Sequence, residues 1–285
     1  MSYKIIGVHG LANKPEPATL KKWWEDSILE GLRRNCGNTE QKINFEMVYW
    51  ADIDYPAPVP NDQNLEPHTK QDGIGKFQTY KDGWRDDVVA GVLGIGAKPL
   101  DWAKKYFGFD SIADAVLAAK LDDLSRYYDI ETTRNQMRRR LSDVLLRPEN
   151  QDKRLMLIAH SMGSIIAYDV LRAIGKEAPS IRVDHLVTIG SPLGLPHVKN
   201  KIYEENHLVR TPSVVKNWTN FADRRDPVAL DAHLSDDYEE NDGGARVRDD
   251  LVINGYTGKS DEPNHHKSYG YLRTPEMSSA IRSFL

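Results

Sequence analysis

Short apolar runs alternate along the chain with longer segments in which apolar residues recur every three or four positions. The apolar runs predict buried strands at residues 3–8, 43–50, 155–159, 186–189, 214–221 and 251–254. Helical spacing follows the first run, because Leu20, Trp24 and Ile28 share one face of a helix. Turn residues at 35–37 predict its end. Strands and helices in alternation predict an α/β fold, with a mostly parallel central sheet and helices on both faces.

Three further helices are predicted outside this first unit. Asp110 or Ser111 is suited to cap a helix that reaches about residue 124, and a second helix covers residues 131–147, where Pro148 ends it. A third begins at Thr274-Pro275, a capping residue followed by a proline at the first helical position.

Two segments break the alternation. Residues 52–109 are rich in Pro, Gly, Asp and Trp and show no period, which is typical of a functional insertion inside a compact domain. We therefore predict one domain over residues 1–285 with a cap or lid at 52–109. Its apolar side chains are suited either to cover an acyl-binding cleft or to pack on the main sheet, and both interpretations stay open. Residues 232–250 are polar and acidic and predict a surface loop.

Composition narrows the class of protein. The 38 basic and 42 acidic residues give a formal charge of −4. This slight acidity gives no reason to expect a nucleic-acid groove, which would need clustered basic charge. The single cysteine, Cys36, excludes an intrachain disulfide framework and a cysteine-based zinc site. No run approaches the ~20 apolar residues of a membrane helix, and no export signal is evident. We expect a cytoplasmic protein without a transmembrane segment.

The strongest chemical signal is Ala159-His160-Ser161-Met162-Gly163, which lies between an apolar strand and a helical pattern. A tight strand-to-helix turn lifts a serine hydroxyl above the edge of the sheet and requires small residues two positions before and after it. Gly163 meets this requirement, and Ala159 stands where glycine is more usual. The start of the helix also offers free N–H groups to a developing oxyanion.

On this motif the chain resembles the α/β-hydrolase family, in particular its lipases and esterases. His9-Gly10 after the first strand is similar to their oxyanion loop, and Gly190-Ser191-Pro192 to a turn found after a later strand. The resemblance implies that the backbone N–H groups of Leu11 and Met162 form the oxyanion hole. His9 and His160 are expected to order their surroundings rather than react.

A serine nucleophile needs a base, and the base needs a carboxylate that orients it. In this family they follow in the order Ser, Asp or Glu, His. Asp226, followed by Pro and Val, matches the family's acidic turn better than Asp223, which is suited to pair with Arg224 or Arg225. Asp223 remains the alternative.

The base is expected just before the last helix, where two histidines are adjacent. His266 fits the family's spacing to a following tyrosine slightly better than His265, which remains the alternative. The remaining histidines lack the spacing of metal ligands, so neither a metal nor another cofactor is expected.

Together these residues predict a serine hydrolase that cleaves a small-molecule or lipid carboxylic ester through an acyl-enzyme. Thioester or amide hydrolysis on the same triad is one alternative, because the machinery addresses the carbonyl group. A binding protein that kept the fold without the chemistry is another. A lipase whose cap opens in transient contact with a membrane is a third.

Overall fold

The computed structural model describes residues 2–37, 42–60, 76–81, 124, 126–229, 231–258, 261 and 263–285. These residues form a parallel sheet whose strands are β1 (Tyr3–Val8), β2 (Phe45–Val48), β3 (Arg154–His160), β4 (His185–Ile189), β5 (Trp218–Ala222) and β6 (Val247–Leu251). The strand order is β2-β1-β3-β4-β5-β6, and each adjacent pair is parallel. The predicted α/β class and parallel sheet are confirmed.

The described residues include the α-helices α1 (Pro17–Cys36), α2 (Glu131–Leu145), α3 (Pro148–Gln151), α4 (Met162–Glu177), α5 (Pro196–Asn206), α6 (Ser268–Leu272) and α7 (Pro275–Phe284). Residues 124 and 126–129 are also helical. Helix α1 ends at Gly37, whose φ of 65° is the left-handed conformation that glycine adopts without strain. Helix α7 begins as predicted, because the Thr274 hydroxyl accepts a hydrogen bond from the Met277 N–H at 3.2 Å. None of the helices described is long and apolar enough to cross a membrane.

Side chains that alternate along the strands fill a hydrophobic core on each face of the sheet. Ile6 and Leu157 belong to the core that also includes Leu141 of α2 and Ile166 of α4. The adjacent strand residues Ile5 and Ile158 point to the other core, which contains Ile28 of α1 and Ile281 of α7. Helices therefore cover both faces, as the apolar runs predict for a parallel sheet.

The sixth strand was placed wrongly by the sequence pattern. It covers Val247–Leu251 rather than 251–254, so the loop predicted at 232–250 ends in a strand. The pattern is misleading because this strand is polar. Its Asp249 carboxylate accepts hydrogen bonds from Asn220 of β5 at 2.9 Å and from the N–H groups of Leu234 and Ser235 at 3.0 and 2.8 Å. This carboxylate adds polar contacts to the backbone pairing with β5 and to the burial of Val247 in the core.

Other predicted elements have mixed outcomes. Strand β1 has the predicted bounds, whereas β2 and β5 are shorter than predicted. Helix α2 starts as predicted at Glu131 and ends at Leu145, and Pro148 begins the next helix. Most of the cap proposed at 52–109, and the helix predicted up to residue 124 apart from its last residue, lie outside the described residues.

The parallel arrangement brings the carboxyl ends of adjacent strands to one edge of the sheet. Strands β1, β3, β4 and β5 end side by side there, and each continues into a loop at this edge. Open α/β sheets bind ligands at this edge. The loops carry His9, Ser161, Gly190 and Asp226, respectively.

Candidate active site

Ser161 occupies a tight turn between β3 and α4, which we call the serine turn (residues 159–163). Its φ of 54° and ψ of −129° form a conformation that residues with a Cβ rarely adopt. Two hydrogen bonds hold it: the Ser161 N–H donates to the Ile189 carbonyl at 3.1 Å, and the Ser161 carbonyl accepts from the Ser164 N–H at 2.9 Å. The strained backbone is therefore fixed from both neighbouring elements.

Close backbone packing explains the small residues around this turn. A Cβ at Gly163 would lie 2.6 Å from the carbonyl oxygens of both Val8 and His9, so only glycine allows α4 to start against the end of β1. A Cβ at Gly10 would lie 2.7 Å from the Ser161 Cβ. Ala159 is fully buried in the core, so its methyl group fits the position where glycine is more usual. The loop after β1 and the serine turn are thus in direct contact.

His266 connects Ser161 to a carboxylate. Its Nε2 lies 3.0 Å from the Ser161 Oγ, and its Nδ1 lies 2.9 Å from each carboxylate oxygen of Asp226. The histidine lies in the loop before α6 (residues 263–267, the histidine loop), and the aspartate in the loop after β5 (residues 222–228, the aspartate loop). Three segments far apart in the sequence therefore form one continuous hydrogen-bonded chain. Such a chain can activate a serine hydroxyl as a nucleophile.

The Asp226 carboxylate is completely buried and has two further donors. The Tyr271 hydroxyl donates to its Oδ2 at 2.7 Å, and the Val228 N–H donates to its Oδ1 at 2.8 Å. Burial by itself would raise the pKa of Asp226. Attraction to His266 and the hydrogen bonds from His266, Tyr271 and Val228 outweigh it, so the pKa lies below its usual value. Asp226 is consequently ionised at neutral pH.

The two alternative residues have other contacts. The Asp223 carboxylate pairs with Arg225 through two hydrogen bonds of 2.9 and 2.6 Å, and it accepts the Asn254 N–H at 2.6 Å. The His265 Nδ1 donates to the Asn254 carbonyl at 2.9 Å. The structure thus brings Ser161 together with Asp226 and His266, and it places Asp223 and His265 in contacts that fasten the surrounding loops.

The two expected oxyanion donors flank the serine turn. Met162 is the first residue of α4, so the helix itself provides no carbonyl acceptor for its N–H. Leu11 follows Gly10 in the loop that packs against Ser161. The ammonium group of Lys14 donates to the carbonyl of Leu11 and, at 2.8 Å, to that of Ala12. These bonds turn the carbonyl groups of the loop toward Lys14.

His9 orders the same loop as a neutral ring. Its Nδ1 donates to the Gly10 carbonyl at 2.8 Å, and its Nε2 accepts the Trp50 N–H at 3.0 Å. The Trp50 indole stacks on it with 4.6 Å between ring centres and donates to the His9 carbonyl. Burial, followed by repulsion from Lys14, lowers the pKa of His9 well below its usual value. A neutral ring with one donor and one acceptor matches both contacts.

The His160 side chain forms a hydrogen bond with the backbone of the histidine loop. Its Nε2 donates to the His266 carbonyl at 2.8 Å, and the centres of the two imidazole rings lie 4.7 Å apart. The side chain next to Ser161 therefore holds the backbone that carries His266. This contact agrees with the expectation that His160 orders its surroundings.

Asn254 and Tyr271 were not identified from the sequence, and Gly190 was noted only as part of a turn that resembles the family. Gly190 has a φ of 52°, and a Cβ there would lie 2.7 Å from the Asp226 Oδ2 and 3.2 Å from the His266 Nδ1. In the sequence, this residue is recognisable only as the glycine that opens the turn after β4. Asn254 donates its amide to the carbonyls of His265 and Lys267 at 2.8 and 2.9 Å. It and Tyr271 follow no motif, and only the fold shows their role.

Within the described ranges, no three His, Cys, Asp or Glu side chains lie close enough together to hold a metal ion. The family described as "alpha/beta hydrolase of unknown function" (DUF900) matches residues 117–220. The match includes the serine turn and ends before Asp226 and His266. A comparison with curated proteins finds no similar sequence. The parallel sheet and the strand-to-helix serine turn form an α/β-hydrolase fold, and the similarity of residues 117–220 to this family agrees with it.

Proposed function

We propose that the protein is a serine hydrolase that cleaves carboxylic esters through an acyl-enzyme intermediate. The observation that carries the proposal is the unbroken chain from the Ser161 Oγ through His266 to Asp226, with contacts of 3.0 and 2.9 Å. These distances lie within the range needed for a general base and the group that orients it. The substrate proposed is a small-molecule or lipid ester.

In the first half of the reaction, the Ser161 Oγ attacks the ester carbonyl carbon while the His266 Nε2 takes the hydroxyl proton. Asp226 accepts the Nδ1–H of the ring and stabilises the imidazolium that forms. The N–H groups of Leu11 and Met162 are proposed to bind the negative oxygen of the tetrahedral intermediate. The carbon–oxygen bond to the leaving group then breaks, and His266 returns its proton to the departing alcohol.

In the second half, water replaces the alcohol. His266 removes a proton from the water molecule as its oxygen attacks the acyl carbonyl of the ester on Ser161. Collapse of the second intermediate breaks the bond to Oγ, the serine regains its proton from His266, and the carboxylic acid leaves. The proton transfers run along the contacts among Ser161, His266 and Asp226, and the atoms balance as ester plus water giving acid plus alcohol.

The leaving group is the least constrained part of this proposal, since the same residues act on thioesters and amides. We propose esters rather than amides because an alcohol leaves far more readily than an amine, and the thioester is distinguished from the ester by measurement. Matched ester, thioester and amide derivatives of one acyl chain test this directly, and the expected order places the ester well above the amide. Faster cleavage of the thioester or amide would reassign the substrate class while retaining the triad.

The experiment for the reaction itself is hydrolysis of p-nitrophenyl esters by the wild-type chain and by Ser161→Ala. Loss of a serine nucleophile typically lowers kcat by about 10⁶. The Ser161 side chain makes no capping hydrogen bond to α4, so its removal should change stability little. We expect turnover to vanish with a Tm within a few degrees of wild type. Ser27→Ala is the matched control, because this buried hydroxyl only bonds the Trp23 carbonyl in α1. Comparable turnover in Ser161→Ala would refute the proposal.

A further inference from the structure

We infer that Tyr271 is a positioning residue: its hydroxyl holds the Asp226 carboxylate in the orientation that His266 meets and limits how tightly His266 retains a proton. The inference rests on the proposed function of Ser161 and deepens it. Tyr271 lies in α6, five residues after His266 and 45 residues after Asp226. It touches the acid of the triad rather than the serine.

The direction of the Tyr271 hydroxyl is fixed by two contacts. It donates to the Asp226 Oδ2 at 2.7 Å, and it accepts the backbone N–H of Asp223 at 3.1 Å. Because the N–H occupies the acceptor side, the hydroxyl proton points to Asp226. The side chain is completely buried, and burial together with the Asp226 charge raises the pKa of Tyr271 well above its usual value. The phenol therefore remains a donor across the pH range of enzyme assays.

The geometry of the carboxylate shows what this donor does. Val228 N–H bonds Oδ1 and Tyr271 bonds Oδ2, so each oxygen has one donor besides His266, whose Nδ1 is 2.9 Å from both. Removing the phenol would leave Oδ2 with a larger share of the negative charge. The imidazolium form of His266 would then be favoured more strongly, and the neutral ring that accepts the serine proton would require a higher pH.

Several other titratable or charged groups lie near His266 and Asp226, on each of the neighbouring elements. Asp223 of the aspartate loop is paired with Arg225, and the His160 ring at the end of β3 lies beside the His266 ring at a tilt of 37°. His265 adjoins it within the histidine loop, and Lys267 lies over the rings of Tyr256 and Tyr269. A change of Tyr271 to phenylalanine alters none of these charges. A shift in the pH profile of that variant would therefore report the hydrogen bond itself.

The test is the rate at which a fluorophosphonate labels Ser161, measured as a function of pH. In this reaction the serine oxygen forms a bond to phosphorus, fluoride leaves, and His266 takes the proton, so the acid limb reports the protonation of His266. For Tyr271→Phe we expect this limb to move up by about one pH unit and the plateau to fall roughly tenfold, as one lost bond to a charged group permits.

Tyr168→Phe is the matched control. Its hydroxyl is also in the core and donates one hydrogen bond, to the Arg210 carbonyl at 2.8 Å, on the opposite face of the sheet. A purely structural effect would lower the Tm of both variants and leave the midpoint of both pH profiles at the wild-type value. We expect that midpoint to stay unchanged in Tyr168→Phe alone.

A second substitution keeps the inference testable if Tyr271→Phe does not fold. Incorporation of 3-fluorotyrosine at position 271 retains the hydroxyl and makes it a stronger donor, so the acid limb should move to lower pH. The role of Tyr271 would be overturned if the wild-type chain is labelled and the acid limb of the phenylalanine or fluorotyrosine protein lies at the same pH as that of the wild type. Absence of labelling in the wild-type chain would instead overturn the proposed function, and the inference with it.

Discussion

The serine turn and the two loops that carry Asp226 and His266 lie at the same edge of the sheet, but different forces hold them in place. The serine turn is fixed by backbone hydrogen bonds and by the missing Cβ atoms of Gly10 and Gly163. The aspartate and histidine loops are fixed by side chains, above all Asn254 and Tyr271. The position of the serine therefore depends on backbone packing among the ends of β1, β3 and β4, whereas that of the acid and base depends on hydrogen bonds from side chains.

This difference predicts opposite consequences for the two aspartates of one loop. Asp226→Asn should lower kcat by about 10⁴, since the amide neither stabilises the imidazolium nor fixes its tautomer. Asp223→Asn should leave kcat within tenfold of wild type, and it should lower stability by roughly 2 kcal/mol because the bonds to Arg225 and Asn254 are weakened. Ester hydrolysis and denaturant unfolding measure the two quantities.

The paired design separates catalysis from folding. The account requires a large loss of activity with little unfolding for Asp226, and the converse for Asp223. If Asp223→Asn were the inactive but stable variant, the acid of the triad would have to be reassigned.

A smaller loss of activity is expected at Gly190, where the backbone after β4 approaches Asp226. In Gly190→Ala the new methyl group would meet the Asp226 Oδ2 at 2.7 Å and displace the carboxylate from His266. A misplacement of about 1 Å typically costs about 10² in rate, which we expect in kcat. Gly244→Ala is the control, because its φ of 76° carries a similar backbone strain while nothing lies within 4 Å of the added atom. Equal activity in both variants would show that glycine is needed at position 190 only for its backbone conformation, and not to leave room for the Asp226 carboxylate.

The same contrast explains how far the sequence could be interpreted. Strands β1 and β3 and helix α1 are buried, so their apolar pattern predicts them closely. The serine turn is contiguous in sequence and could be identified from five residues. Strand β6 could not, because most of its residues are polar and Asp249 holds it through hydrogen bonds, while Val247 alone of its residues is fully buried.

For the acid and the base, the resemblance favoured Asp226 and His266 and left Asp223 and His265 open as alternatives. Tertiary contacts distinguish them: Arg225 occupies the carboxylate of Asp223, and the Asn254 carbonyl takes the ring of His265. Tyr271 gave no signal, because a buried tyrosine in a short helix resembles any core residue until its hydroxyl is seen to meet Asp226.

Whether His266 takes the proton of Ser161 can be measured by fluorophosphonate labelling, followed by mass spectrometry of the intact chain and its peptides. We expect one adduct, on the peptide that contains Ser161, in the wild-type chain and in His265→Ala, and a loss of labelling of about 10⁴ or more in His266→Ala. Rapid labelling of folded His266→Ala together with its loss in His265→Ala, or an adduct on a different residue, would refute this role of His266.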